Sequence, residues 1–170
     1  MGAGILPVAL YRGTLFILLG QERFNNSLWC DFGGTPKKGE NPYKTAIREG
    51  GEELNGFFGI NKELEETVNC NMILSICHSK YTTYIFNTKY NKELPVYFAN
   101  NNNFIEEHLN DKIDKKHNGL FEKNKIDWFP VYKFKNSKNM SIIRPHYIEH
   151  IKAIIKNEKF IIKEIEKQTS

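Results

Sequence analysis

Glu49, Glu52 and Glu53 stand at i, i+3 and i+4, a spacing that puts three carboxylates on one face of a helix. Carboxylates crowded together repel one another unless a cation sits between them. Hard oxygen ligands suit magnesium, which keeps several waters and borrows oxygens from substrate phosphates. The chemistry predicted for this cluster is therefore divalent-metal binding beside a pyrophosphate. The helix that must carry it begins near residue 42, because Asn41 can cap it and Pro42 fits a first turn where a missing N–H costs nothing.

Ahead of that helix, Asp31-Phe32-Gly33-Gly34 reads as a strand end entering a tight turn, where glycine lets the backbone come close to metal or phosphate. Glu40 lies on the same approach. Gly50-Gly51 falls inside the helix, and two such glycines cost roughly 1 kcal/mol each relative to alanine. A helix ending at Glu49 would scatter Glu52 and Glu53. The expectation is an unbroken helix, with Phe57 or Phe58 filling the space of the absent side chain.

The segment from Gly34 to Gly56 resembles the Nudix box: Gly, five residues, Glu, seven residues, Arg-Glu, an apolar residue, any residue, Glu-Glu, any residue, Gly, apolar. Gly34, Glu40, Arg48, Glu49, Glu52 and Glu53 fall in register. Gly50 replaces the apolar residue, Asn55 stands where Gly is expected, and Gly56 takes the last apolar place. Asn55 is benign, since Asn follows Gly in preference at a left-handed helix end. The flanks also resemble the family, with an N-terminal hairpin, Trp29 before the box and Asp127-Trp128-Phe129-Pro130 far downstream.

The resemblance implies an α/β/α sandwich with a mixed β-sheet, an α/β fold. It implies an enzyme that hydrolyses a nucleoside diphosphate linked to another moiety, using magnesium, for which manganese can substitute. Glu49, Glu52 and Glu53 are then metal ligands, with the Gly34 carbonyl as a further one, and Glu52 and Glu53 are catalytic through the metal. Arg48 pairs with an acid of the motif to hold helix and loop, and Glu40 is likewise structural. A general base must lie within hydrogen-bond reach of its water. By the resemblance it is a motif Glu or a Glu from a later loop; Glu122 is the late-loop candidate, with Glu106 and Glu107 competing. Lys37 and Lys38, on the box loop, are placed to meet phosphate.

At 170 residues and 40% apolar composition, the chain suits one domain over 1–170. No run approaches the 18 or so apolar residues of a membrane span, and the start does not read as a leader. The expectation is a cytoplasmic protein with no membrane partner. Cys30, Cys70 and Cys77 are odd in number and unpaired in spacing, which argues for buried thiols rather than disulfides or zinc. The net charge of +4 leaves a surface that attracts phosphate-rich ligands once the acids are sequestered.

Strands are expected over 5–11, 14–21, 28–32, 67–77, 81–87 and 126–132, a weak helix over 102–115 around Phe104, Ile105, Leu109 and Ile113, and a long amphipathic helix at about 142–166 that Pro145 begins. His146-Tyr147-Ile148-Glu149-His150 formally matches a zinc protease motif, but with little chain left to supply another ligand. These histidines are expected on the helix surface. Phe24, Trp29, Tyr81, Tyr84 and Phe86 are candidates for base stacking, although aromatics at strand spacing are more often core. Three functions follow for a nucleotide or capped-RNA substrate: RNA decapping, favoured by the lysine-studded last helix; hydrolysis of diphosphoinositol polyphosphates; and a catalytically silent nucleotide- or RNA-binding module.

Overall fold

The structure, a computed structural model, describes residues 1–23, 27–112 and 121–169. Phe24 and Ile113 lie outside the described residues. β1 (Gly2–Tyr11) and β2 (Thr14–Glu22) form a hairpin, and Arg12 and Gly13 both take positive φ in its turn. β1 is central. It pairs antiparallel with β2 on one side and parallel with β6 (Tyr81–Asn87) on the other. The strand order is β3-β2-β1-β6-β5, with β3 (Trp29–Cys30) and β5 (Met72–His78) at the ends of that path; β4 (Phe32–Gly34) pairs with β1, and β7 (Lys123–Pro130) with β2.

Both faces of the sheet are apolar, as burial by helices on both sides demands. On one face Ala3, Ile5, Ala9 and Leu18 pack under α1 (Pro42–Glu53), α2 (Asn61–Asn71) and α3 (Leu94–His108). On the other, Leu6, Val8, Leu15 and Ile17 pack under α4 (Ile148–Lys156) and α5 (Glu158–Thr169) through Ile151, Ile154, Ile161 and Ile165. This is an α/β/α sandwich around a mixed sheet. Among the described residues no helix is long and apolar enough to cross a membrane.

Several elements differ from the expectation. Residues 67–71 are the last turns of α2 rather than strand, because Leu64 and Val68 at i and i+4 bury on the core and Thr67 bonds back to the Glu63 carbonyl at 2.9 Å. Burial of that stripe overrides the β-branched preference. α3 begins at Leu94, where Pro95 fits the first turn, and buries Leu94, Phe98 and Asn102. The single helix expected at about 142–166 is instead 3₁₀ turns up to Tyr147 followed by α4 and α5. Asn157 divides them: its side-chain amide takes the Ala153 carbonyl at 2.8 Å, the kind of local competition that interrupts a helix. Cys30 is buried, but Cys70 and Cys77 are exposed.

α1 runs unbroken through both glycines. A Cβ at Gly50 would lie 2.4 Å from Ile5 Cδ1 and 2.5 Å from its Cγ1, so Ile5 of β1, not Phe57 or Phe58, fills the place of the missing side chain. Phe57 instead packs near Phe98 and Phe58 near Phe86. A Cβ at Gly51 meets nothing nearer than 3.6 Å. The two alanine substitutions should therefore have opposite signs. Gly50→Ala overpacks the helix–sheet contact, at a typical cost of about 1–3 kcal/mol, while Gly51→Ala recovers helix propensity of about 1 kcal/mol. Thermal unfolding should show a lower Tm for the first and a higher Tm for the second, and Ile5→Ala should relieve the first.

Candidate active site

Asn41 caps α1 by accepting the Lys44 N–H at 2.8 Å, and Pro42 occupies the first turn. Asn55 takes the left-handed conformation just past the helix, with φ of 51°. The helix is pressed against the loop that precedes it. Gly33 has no room for a side chain, since a Cβ would meet Gly4 Cα and the Tyr81 hydroxyl, each at 2.3 Å. On the helix side, a Cβ on Gly34 would come 2.6 Å from Glu49 Oε1. Loop and acidic helix face are thus in contact.

Arg48 ties them together. Its Nε donates to Glu40 Oε1 at 2.7 Å, and its Nη2 donates to Glu40 Oε2 at 3.0 Å, to Glu49 Oε1 at 2.9 Å and to the Thr35 carbonyl at 3.0 Å. Its Nη1 donates to Glu52 Oε2 at 3.1 Å. Glu40 also accepts the Lys37 N–H at 2.8 Å, and the Arg48 guanidinium draws its carboxyl down to about 2. Lys37 Nζ stands 3.7 Å from Glu52. Lys38 is exposed on the same loop.

Glu53 turns inward. It is 2% exposed, accepts the Gly33 N–H at 2.7 Å and faces the Lys123 ammonium at 3.3 Å. Burial pushes its carboxyl up to about 8 against the pull of Lys123. Lys123, from β7, is completely buried and also donates to Glu22 at 2.5 Å and to the Cys30 sulfur at 3.2 Å. Burial works against the charged form of Glu22, yet Lys123, Cys30 and Arg144 outweigh it and hold that carboxyl below its ordinary value. The Cys30 thiol is pushed by burial up to about 12, which makes it inert as a nucleophile.

Glu122 precedes Lys123. Burial, with Glu22 and Glu52 as like charges, raises its carboxyl, and its charge in turn bears on Glu49 and Glu53. Glu122 has no hydrogen bond from its side chain among the described residues, whereas Glu106 pairs with Arg23 and Glu107 lies 3.8 Å from His108. Of the three late-chain acids, Glu122 is the one that faces the box.

Among the described residues no three acidic, histidine or cysteine groups converge closely enough to hold an ion as they stand. The reason is visible: Arg48 draws Glu49 and Glu52 toward the loop, and Lys123 draws Glu53 inward. The donor chemistry nevertheless fits a hard divalent ion. All of the groups are carboxylate or carbonyl oxygens, and burial, with the neighbouring carboxylates adding to it, raises Glu49 and Glu122.

Sequence reasoning missed Lys123, Glu22 and Arg144. Nothing in their spacing marks them; only the β2–β7 pairing, which sets Glu22 against Lys123, brings the first two together. The histidines differ from expectation. His146 sits in a 3₁₀ turn and is exposed, whereas His150 is buried, stacked on Tyr147 at 5.0 Å with Nε2 3.4 Å from the Tyr81 carbonyl. They are not a ligand pair on one helix. The candidate stacking rings are engaged as well: Phe86 is in the core, Trp29 abuts Phe129, Tyr84 abuts Tyr43, and the Tyr81 hydroxyl donates to Asp31 at 2.9 Å.

No family model and no curated protein matches the sequence. Solved structures do match. An Ap4A hydrolase from C. elegans, solved as a binary complex, is similar over 96% of this chain and 99% of its own, with 18% identity and a TM-score of 0.55. The Nudix hydrolase RenU of M. smegmatis is similar over 93% of this chain and 85% of its own, at 12% identity and a TM-score of 0.50. A bifunctional NMN adenylyltransferase/ADP ribose pyrophosphatase from Francisella tularensis, complexed with AMP and a manganese ion, is similar over 92% of this chain and 41% of its own, at 14% identity and a TM-score of 0.53. The chain has the Nudix hydrolase fold.

Proposed function

We propose that this chain is a magnesium-dependent Nudix pyrophosphohydrolase, cleaving the phosphoanhydride of a nucleoside diphosphate linked to another moiety. The observation that carries the reading is the unbroken α1, which keeps Glu49, Glu52 and Glu53 beside the Gly33-Gly34 loop with Glu122 facing them. Glu49, Glu52 and Glu53, with the Gly34 carbonyl, would hold the metal, and manganese would serve in its place. When bound, such an ion neutralises phosphate oxygens and lowers the pKa of water. Glu122 is the group to accept the proton of the attacking water, because it faces the box glutamates and its side chain makes no hydrogen bond among the described residues. Arg48 and Glu40 hold the loop, and Lys37 and Lys38 meet substrate phosphate.

Decapping leans on the lysines of the last helices, of which Lys152 and Lys167 pair with Glu149 and Glu164 at 2.6 and 2.5 Å, leaving Lys156, Lys159 and Lys163 to meet a phosphate backbone. The experiment is a panel of Ap4A, ADP-ribose, free nucleotides, capped RNA and inositol pyrophosphates assayed with magnesium or manganese. Turnover of at least one member, lost in Glu52→Gln, is expected. Binding without turnover on every member would identify a silent module instead, and turnover of capped RNA alone would establish decapping.

A further inference from the structure

Asp31, between β3 and β4, is only 1% exposed and has no ion pair among the described residues. Burial pushes its carboxyl up to about 6. An enclosed carboxylate without a counter-ion is costly, and an apolar residue would avoid that cost. What it gathers instead are two hydroxyls of β6: Tyr81 donates to Oδ1 at 2.9 Å and Thr83 donates to Oδ2 at 2.8 Å. Tyr81 and Thr83 are alternate residues of one strand, so they share a face.

The two hydroxyls differ in what lies against them. The Tyr81 ring reaches across β1 to the Gly33-Gly34 loop along a track cleared of side chains. A Cβ on Gly2 would meet the ring Cδ2 at 3.0 Å, and one on Gly4 or Gly33 would meet the hydroxyl at 2.5 or 2.3 Å. Gly4 and Gly33 are register partners of β1 and β4. Thr83 lies farther from Gly33 than Tyr81 does. Successive residues of a strand face opposite ways: Gly33 faces Tyr81, Gly34 faces Glu49, and the Gly33 N–H donates to Glu53 Oε2 at 2.7 Å. The loop is thus one layer of backbone between the Tyr81 hydroxyl and the acidic face of α1. If the hydroxyl shifts, the loop can follow it away from Glu53.

We propose that Asp31 is a positioning residue of the acidic site: by fixing the Tyr81 hydroxyl against Gly33, it sets the height at which the Gly33 N–H reaches Glu53. The proposal deepens the hydrolase reading and rests on it for the role of Glu53. Asp31 acts through Tyr81 and the loop, so its effect falls on the arrangement of the site and not on substrate affinity.

The test compares Tyr81→Phe with Thr83→Val in the full chain, each of which removes one hydrogen bond from the same carboxylate. A purely structural Asp31 would make the two alike. Tyr81→Phe alone should lower kcat, on the order of 10²-fold at unchanged KM, the scale of a displaced active-site group. Without metal or substrate, the Gly33 amide should exchange its hydrogen about tenfold faster or more in Tyr81→Phe and at the parental rate in Thr83→Val. Asp31→Leu should match Tyr81→Phe in both readouts, while Asp31→Asn, which keeps an oxygen for the Tyr81 hydroxyl, should stay close to the parent. Equal effects of Tyr81→Phe and Thr83→Val, an unchanged Gly33 amide in Tyr81→Phe, or an Asp31→Asn as impaired as Asp31→Leu overturns the proposal. An inert substrate panel with the parent chain sinks the hydrolase reading alone, and the contrast in Gly33 exchange then still decides whether Asp31 sets the loop.

Discussion

Lys123→Met should cost the fold about 3–5 kcal/mol, the scale on which removing one partner of a buried ion pair destabilises proteins. Lys123 is wholly enclosed, with Glu22 Oε1 at 2.5 Å and Glu53 Oε1 at 3.3 Å. Without its ammonium, Glu22 keeps Arg144 but Glu53 retains only the Gly33 N–H. Methionine replaces the stem and not the charge, so the Glu22 carboxylate loses its nearest cation and Glu53, whose carboxyl burial already raises to about 8, loses its ion-pair partner. Urea unfolding would read the loss. The double variant Glu22→Gln/Lys123→Met should recover much of it, because a neutral buried set can be as stable as a paired one. A single variant within about 1 kcal/mol of the parent, the ordinary scale of point substitutions, would mean that Lys123 is not the counter-charge of this cluster.

The acidic helix was legible in the sequence because each part of it is local. Asn41, Pro42, the three glutamates and Asn55 act within a few turns of one helix, and the structure shows cap, first turn and left-handed end where their residue types ask for them. The glycine pair was not legible in the same way. What occupies the space beside Gly50 is Ile5, some 45 positions earlier in the chain, and only the packing of α1 on β1 connects them. The same holds for Glu22, Lys123 and Arg144, which strand pairing and the Trp29–Ile143 bridge bring together. Local propensity misled at 67–71, where β-branched residues form helix because their stripe faces the core, and at Asn157, whose side chain stops one long helix from forming.

Glu53→Gln separates chemistry from folding at the centre of the site. The Gln side-chain oxygen can still accept the Gly33 N–H, and burial already favours the uncharged form of Glu53, whose carboxyl is raised to about 8. Near pH 7 the amide therefore resembles the state that the enclosed position prefers, and Tm should change little, with Lys123 still held by Glu22. Turnover should fall much further, on the order of 10²–10³-fold, the scale for deleting one preorganised electrostatic group from an active site. The comparison that gives this meaning is Glu40→Gln. Arg48 holds Glu40 at 2.7 and 3.0 Å and Lys37 closes the loop onto it, so its loss should loosen the loop and lower Tm while affecting turnover less than Glu53→Gln does. Steady-state kinetics on whichever panel member responds, run beside thermal melts of both variants, would read the contrast. If Glu53→Gln kept its turnover and lost its Tm, the inward-facing glutamate would be a fold residue, and the work of the acidic face would pass to Glu49, Glu52 and Glu122.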